Sequence, residues 1–113
     1  MTAKDATRLT EQLLADFNLD DWKVIVCCYR ALATANGGDA RCPNGGRLEG
    51  LTWFRIHTIL LSDNYILDDN QALELIAHEC AHAVSGDWRC DDSERFDAAL
   101  KRTVQKLNEQ VRQ

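Results

Sequence analysis

The chain has 113 residues, of which 45% are hydrophobic and 27% are charged, and its formal net charge is −5 at pH 7. This length predicts one domain over residues 1–113, because two domains of about 55 residues each would have marginal cores. The composition excludes a disordered or fibrous protein, and the acidic balance counts against a duplex DNA-binding module, which needs basic residues to neutralise phosphates.

The apolar runs and the cysteines indicate the cellular location of the protein. The longest apolar runs, Val24–Cys28 and Ile59–Leu61, are far shorter than the roughly 18 residues that span a bilayer. The N-terminal sequence lacks the basic flank and apolar run of a secretion signal. Five cysteines are an odd number without a C-x-x-C pair, which favours free thiols over a disulfide framework. We therefore expect a cytoplasmic protein without a membrane span.

The N-terminal part predicts a helix followed by a strand. Thr2 is a candidate N-cap with Asp5 three residues later, and apolar residues then recur at helical spacing, which predicts a helix over about residues 3–18. Residues 22–29, with the sequence WKVIVCCY, are rich in β-branched and aromatic side chains. They predict a strand that is partly covered on both faces.

The middle of the chain predicts loops and further strands. Residues 33–50 contain five of the six glycines and the only proline, which is typical of loops. Leu51–Phe54 and Arg55–Leu61 predict one or two strands, the second of which contains the lone histidine His57. A lone histidine in a strand is more typical of a sheet residue than of a metal ligand. A polar connection, Ser62–Asp69, leads to the next element.

The C-terminal half predicts two helices. From Asp69 or Asn70 to about Ser85 the apolar residues take a helical period, with Asn70 as a candidate N-cap and Gly86 as the residue that ends the helix. A final amphipathic helix spans about Phe96–Val111. The fold predicted is therefore α+β, with an N-terminal helix, a small, mostly antiparallel sheet of about three strands, and these two helices.

The first of these two helices carries the sequence HECAH, residues 78–82, which is an H-E-x-x-H motif. His78 and His82 are one helical turn apart, so both imidazoles can reach one cation. Glu79 lies beside that line, where a carboxylate can accept a proton from a metal-bound water. Zinc suits this set, because it lowers the pKa of its bound water to about 7 and polarises a carbonyl. The alternative is that both histidines are ordinary surface or core residues and Glu79 is a solvated acid.

The motif and the order of the predicted elements resemble the zincin metallopeptidases, and more narrowly their small SprT-like or minigluzincin-type domains. The similarity covers residues 3 to about 112, and only H-E-x-x-H in it is specific. The resemblance implies a minimal zincin fold and a zinc metalloendopeptidase that hydrolyses peptide bonds with a zinc-bound water activated by Glu79. It also implies that His78 and His82 bind Zn²⁺ and that the partner is a protein or peptide substrate.

The third metal ligand departs from the family pattern. In SprT-like domains it is a histidine shortly before the last helix, but no histidine follows His82 here. The matching position holds Asp92, so the resemblance implies an aspartate in place of the third histidine, as in the aspzincin group. Asp91 and Glu94 compete for this role, and Cys90 fits the spacing less well. Helix capping is the alternative role for this Asp/Ser cluster.

The resemblance leaves the function open in two ways. A catalytically inactive zincin-fold interaction module fits the same motif, as does a metal-dependent hydrolase acting on another bond, such as one in RNA. The acidic chain has no basic groove, so we do not expect nucleic acid as a partner. A phage-encoded protease in a host cytosol fits as well as a host protein does.

The substrate-binding edge and the oxyanion stabiliser are less well defined by the sequence than the metal ligands. The predicted strand over residues 53–61 could offer an edge on which an extended peptide pairs. An oxyanion stabiliser beyond the metal is not identifiable: Tyr65, Trp88 and Arg89 are candidates through their nearness in sequence alone, and packing or a place on a loop surface is the more typical role for each.

Overall fold

A computed structural model of the protein describes residues 1–39, 41, 46–87 and 93–112. Its helices and strands follow in the order α1 (Ala3–Asp16), β1 (Lys23–Cys27), α2 (Tyr29–Ala35), β2 (Gly50–Trp53), β3 (Thr58–Ser62), α3 (Asp69–Ser85) and α4 (Glu94–Val111). Two short 3₁₀ helices, Phe54–Ile56 and Tyr65–Leu67, lie on either side of β3. The predicted α+β class is confirmed.

Helix α1 begins where the sequence predicts. Thr2 Oγ1 accepts a hydrogen bond from the backbone N–H of Asp5 at 3.0 Å, which satisfies one of the N–H groups that a helix start leaves without an internal partner. The helix ends at Asp16, slightly earlier than predicted, and Asn18 turns the chain with a positive φ of 61°. Its apolar face packs into the main core of the protein.

The sheet has the strand order β1-β3-β2. Strand β2 pairs antiparallel with β3, because only a short connection separates them, whereas β1 pairs parallel with β3 across the longer connection that contains α2. The described sheet is therefore mixed, with a smaller antiparallel share than predicted. All five residues of β3 are buried, as befits its central position.

Three sequence predictions for this region are wrong in detail. The strand expected to reach Tyr29 ends at Cys27, because the Cys28 Sγ accepts a hydrogen bond from the Ala31 N–H and caps α2, a helix that the sequence analysis did not predict. The strand expected over residues 55–61 is interrupted, because His57 takes a left-handed conformation with φ 48°. The sequence predicts the free sheet edge for an extended peptide on a strand over residues 53–61. Strand β3 has a neighbour on both sides, so on this side of the sheet the edge is β2.

Helix α3 runs through the centre of the molecule, with most of its residues after Ala72 buried. Its N-cap is Asp68, whose Oδ1 accepts from the Gln71 N–H at 2.9 Å, so the prediction of Asn70 as the cap is wrong. Gly86 ends the helix in the left-handed conformation, as predicted.

Helix α4 packs along α3. The Thr103 hydroxyl is 3.1 Å from the Ala77 carbonyl of α3, to which it can donate, and the Arg95 guanidinium donates to the Ser85 carbonyl at the other end of the contact. Ser93 is the N-cap of α4, since its Oγ accepts from the Phe96 N–H at 3.0 Å. The capping role predicted for the Asp/Ser cluster is therefore taken by its serine.

Within the described ranges no helix is long and apolar enough to cross a membrane. The cysteines described there, Cys27, Cys28 and Cys80, are free thiols, and Cys42 and Cys90 lie outside those ranges.

Candidate metal centre

The two histidines of the motif lie together on α3. The centroids of the His78 and His82 rings are 4.9 Å apart and the ring planes are nearly perpendicular, at 81°. His82 is buried, with 8% of its surface exposed, whereas His78 is half-buried. The helical spacing thus brings two imidazoles side by side, as the sequence predicts.

A backbone contact fixes the tautomer of His82. Its Nδ1 is 2.8 Å from the carbonyl oxygen of Asp87. A carbonyl can only accept, so Nδ1 carries the proton and the lone pair of the neutral ring lies on Nε2. The contact forms because Gly86 reverses the chain and the Ser85 hydroxyl accepts from the Asp87 N–H at 3.1 Å. Histidines that bind metals commonly donate their other ring N–H in this way.

Phe96 of α4 contacts both histidines. Its ring centroid lies 5.1 Å from that of His78 and 4.5 Å from that of His82, and the side chain is buried. The apolar period of the last helix predicts that Phe96 is buried, but it does not predict this contact with the two histidines. The ring forms an apolar wall that limits how the two imidazoles can turn.

Glu79 of α3 is covered by β2. Only 6% of its surface is exposed. The Thr52 hydroxyl of β2 is 2.9 Å from Glu79 Oε1 and 2.8 Å from the Glu79 backbone carbonyl. A buried carboxylate needs such donors, because an unpaired buried charge is costly. The carboxylate is therefore held between helix and strand.

Gly50 makes this close approach of β2 to α3 possible. A Cβ atom at position 50 would lie 2.8 Å from Leu75 Cδ1, 3.1 Å from Glu79 Cγ and 3.2 Å from Glu79 Cδ. Such distances are too short for unstrained contacts, so any larger residue would push the strand or these side chains away. The sequence gives no signal for Gly50 or Thr52, because their contacts with Glu79 join residues 29 and 27 positions apart.

The third ligand predicted from the sequence, Asp92, lies outside the described residues, as do Asp91 and Cys90. Glu94 is described and is exposed at the start of α4. Across the ranges that the structure describes, no group of three or more His, Cys, Asp or Glu side chains could hold a metal ion. Glu94 therefore does not complete a three-ligand group with His78 and His82 in this structure.

The third histidine has its own set of contacts. The sequence predicts that His57 is a strand residue, and this prediction is wrong. His57 follows the 3₁₀ helix Phe54–Ile56. Its Nδ1 is 2.5 Å from Asp21 Oδ2, and its ring stacks on Trp22 with centroids 4.8 Å apart and planes within 1° of parallel. These contacts give His57 a packing role at the surface.

Of the candidates for an oxyanion stabiliser, Trp88 and Arg89 lie outside the described residues and Tyr65 is half-buried beside the main core. Burial, helped by the nearby carboxylates of Glu74, Glu49 and Asp68, raises the pKa of the Tyr65 phenol. The phenol keeps its proton at neutral pH, as an ordinary tyrosine does, and can act as a hydrogen-bond donor.

No protein-family model, curated protein or solved structure matches this chain. A function must therefore be argued from the residues of α3 and their neighbours.

Proposed function

We propose that this protein is a zinc metallopeptidase in which His78 and His82 bind the metal and Glu79 is the general base. The observation that carries the proposal is the state of His82. Its Nδ1 donates to the Asp87 carbonyl, and its ring lies beside the His78 ring at a centroid distance of 4.9 Å. A ring whose Nδ1–H bonds a backbone carbonyl, which leaves Nε2 as the donor atom, is the form that metal-binding histidines commonly take.

His78 and His82 would supply two of the three protein ligands of a catalytic zinc site. Neutral imidazoles are preferred zinc ligands, and catalytic sites combine three protein ligands with one open position. When bound, zinc lowers the pKa of a coordinated water to about 7 and polarises a carbonyl. We propose Asp92 as the third ligand, on its family position and because Ser93 already caps α4. Asp87, five residues before Asp92 in the sequence, accepts from His82, and Ser93, the residue after Asp92, caps the helix that carries Phe96.

Glu79 would move the proton. Its carboxylate would take a proton from the attacking water and return it to the leaving amine. Burial supports this role, because electrostatic interactions are stronger where water is excluded. Strand β2, an outer strand of the described sheet, contacts Glu79 through Thr52, so an extended peptide paired with β2 would pass close to the base.

The test is zinc content and proteolysis in a set of matched variants. Purified protein would be loaded with zinc, dialysed and analysed for bound metal, and its cleavage of fluorescein-labelled casein would be followed. H78A and H82A should lose both zinc and cleavage. E79Q should keep zinc and lose cleavage by about 100-fold or more, the usual contribution of a general base. H57A is the control, because His57 packs on Trp22 and not beside the other two histidines. Its zinc content and its cleavage of casein should equal those of the wild type.

Three outcomes would contradict the proposal. Wild-type protein that binds no stoichiometric zinc excludes the metal site, and H78A protein that keeps its zinc excludes the assigned ligands. Zinc binding that depends on both histidines but comes without cleavage of casein, in wild type and E79Q alike, would favour the interaction module instead.

A further inference from the structure

The contact between Thr52 and Glu79 joins a strand to the motif helix. The hydroxyl has one hydrogen and two acceptors within reach, the Glu79 carbonyl at 2.8 Å and Oε1 at 2.9 Å. A tie between β2 and α3 alone would need only the carbonyl. The second acceptor means that the same hydroxyl also meets the carboxylate.

Two residues of β2 together confine the Glu79 side chain. Gly50 and Thr52 are two positions apart in the strand and therefore point to the same face of the sheet. Gly50 lies against the middle of the side chain, where a Cβ would be 3.1 Å from Cγ and 3.2 Å from Cδ. Thr52 meets its end at Oε1. A flexible glutamate is in this way held both along its length and at its tip.

Positioning of this kind matters for a general base. Proton transfer requires the base within hydrogen-bond reach of the proton, and a displacement of about 1 Å can cost about 100-fold in rate. Glu79 has three side-chain torsions and would lose precision if its oxygen were not held. The Thr52 hydroxyl on β2, 2.9 Å from Oε1, is a donor that can hold it.

We infer that Thr52 is a positioning residue for the Glu79 carboxylate and, through it, for peptide hydrolysis. Its effect on turnover rests on the proposed function, whereas its effect on the place of the carboxylate does not. Thr52 acts through Glu79 and need not touch the substrate.

The chain offers a matched control in Thr103. Its buried hydroxyl is 3.1 Å from the Ala77 carbonyl, so it ties α4 to α3 much as Thr52 ties β2 to α3. No carboxylate accompanies that contact among the hydrogen bonds of Thr103. T103V should therefore lose the hydrogen bond to α3 without affecting the Glu79 carboxylate. The comparison separates the positioning of Glu79 from a general stabilisation of α3.

The experiment compares T52V, T52S and T103V with the wild type, all loaded with zinc. Initial rates on fluorescein-labelled casein over a range of concentrations give kcat and KM separately. For T52V we expect kcat to fall by about 10- to 100-fold with KM within about twofold, and zinc content unchanged. T52S keeps the hydroxyl and should recover most of kcat, and T103V should lose stability without losing kcat.

Crystal structures of T52V and T52S give a readout that does not depend on activity. The Glu79 carboxylate should leave its place under β2 in T52V and keep it in T52S. If T52V does not fold, T52A takes its place, because it removes the hydroxyl without adding volume.

The failures of the two proposals are distinguishable. If E79Q abolishes cleavage but T52V keeps wild-type kcat, the positioning role is overturned and the peptidase remains. If the wild type cleaves nothing, the peptidase is overturned and the structures alone decide positioning. A carboxylate unmoved in T52V overturns the inference, and one displaced in T52V but not in T52S supports it.

Discussion

The ring of Phe96 lies 4.5 Å from the ring of His82, centroid to centroid, and the two planes are tilted by 38°. Through this contact α4 packs against the side of α3 that carries His78 and His82. Because Phe96 is buried and also meets His78, the packing of α4 and the orientation of both imidazoles are coupled.

Replacement of Phe96 by leucine should weaken zinc binding by about tenfold, the effect typical of groups that orient metal ligands. The reason is that leucine roughly keeps the apolar volume but not the flat surface against the two rings. Competition with a chromophoric chelator measures the affinity. L107A is the control, because Leu107 is buried on the same helix in the main core, and it should lower stability while zinc affinity stays the same. Equal affinities in F96L and the wild type would show that the ring does not orient the ligands.

The third ligand can be assigned with three charge-removing variants. D92N should lower zinc affinity by at least about 100-fold, more than the loss of an outer partner, whereas D91N and E94Q should stay close to the wild type. Each substitution keeps the size of the side chain and removes a charge. The largest loss of affinity identifies the ligand, so a greater effect in D91N or E94Q would move the assignment away from Asp92.

The substitution G50A should destabilise the protein by about 1–3 kcal/mol, as overpacking does, because its Cβ would meet Leu75 at 2.8 Å. Urea unfolding measures the loss. The matched test is a double-mutant cycle with L75A, which removes the atom that clashes. We expect the double variant to be more stable than the sum of the two single effects predicts, by about 1 kcal/mol. Additive losses of stability would mean that a clash with Leu75 is not the reason that position 50 needs glycine.

Stability should fall at alkaline pH partly through Cys80. Full burial, with the Glu79 charge as a smaller cause, raises the pKa of the Cys80 thiol above its ordinary value of 9.0. The folded-state pKa is the higher one, so the stabilisation is complete below about pH 9 and is lost as the pH rises further. The free energy of unfolding should then fall by about 1.4 kcal/mol per pH unit from this group.

The comparison for Cys80 is C80A measured by urea unfolding between pH 8 and 10.5. The variant keeps Cys27 and Tyr65, whose pKa values burial also raises, so the difference in slope reports Cys80 alone. We expect a shallower fall with pH in C80A, and parallel curves would rule out a thiol that is kept protonated by burial.

Two buried serines should respond in opposite ways to alanine. The hydroxyl of Ser62 in β3 is buried and has no hydrogen-bond partner in the described structure, so S62A should stabilise the protein by about 1 kcal/mol. The hydroxyl of Ser85 accepts from the Asp87 N–H and can donate to the His82 carbonyl, so S85A should destabilise it by a similar amount. Thermal unfolding of both variants tests the pair, and a loss of stability in S62A would mean that its hydroxyl has a partner.

Local signals in the sequence predicted much of the fold. The cap at Thr2, the end of α3 at Gly86 and the apolar periods of three helices depend on residues within a few positions of one another. The errors lie where local signals conflict. Cys28 continued a strand-like run but caps a helix, and His57 continued an alternating pattern but takes a left-handed conformation.

By itself, the sequence determined the α+β class and the pairing of His78 with His82, because a helix places residues four apart on one face whatever surrounds it. Only the tertiary structure decided that β2 covers Glu79, that Thr52 meets its carboxylate and that Phe96 closes on both imidazoles. Those contacts join residues far apart in the chain, and they depend on how strands and helices pack, which no spacing along the sequence encodes.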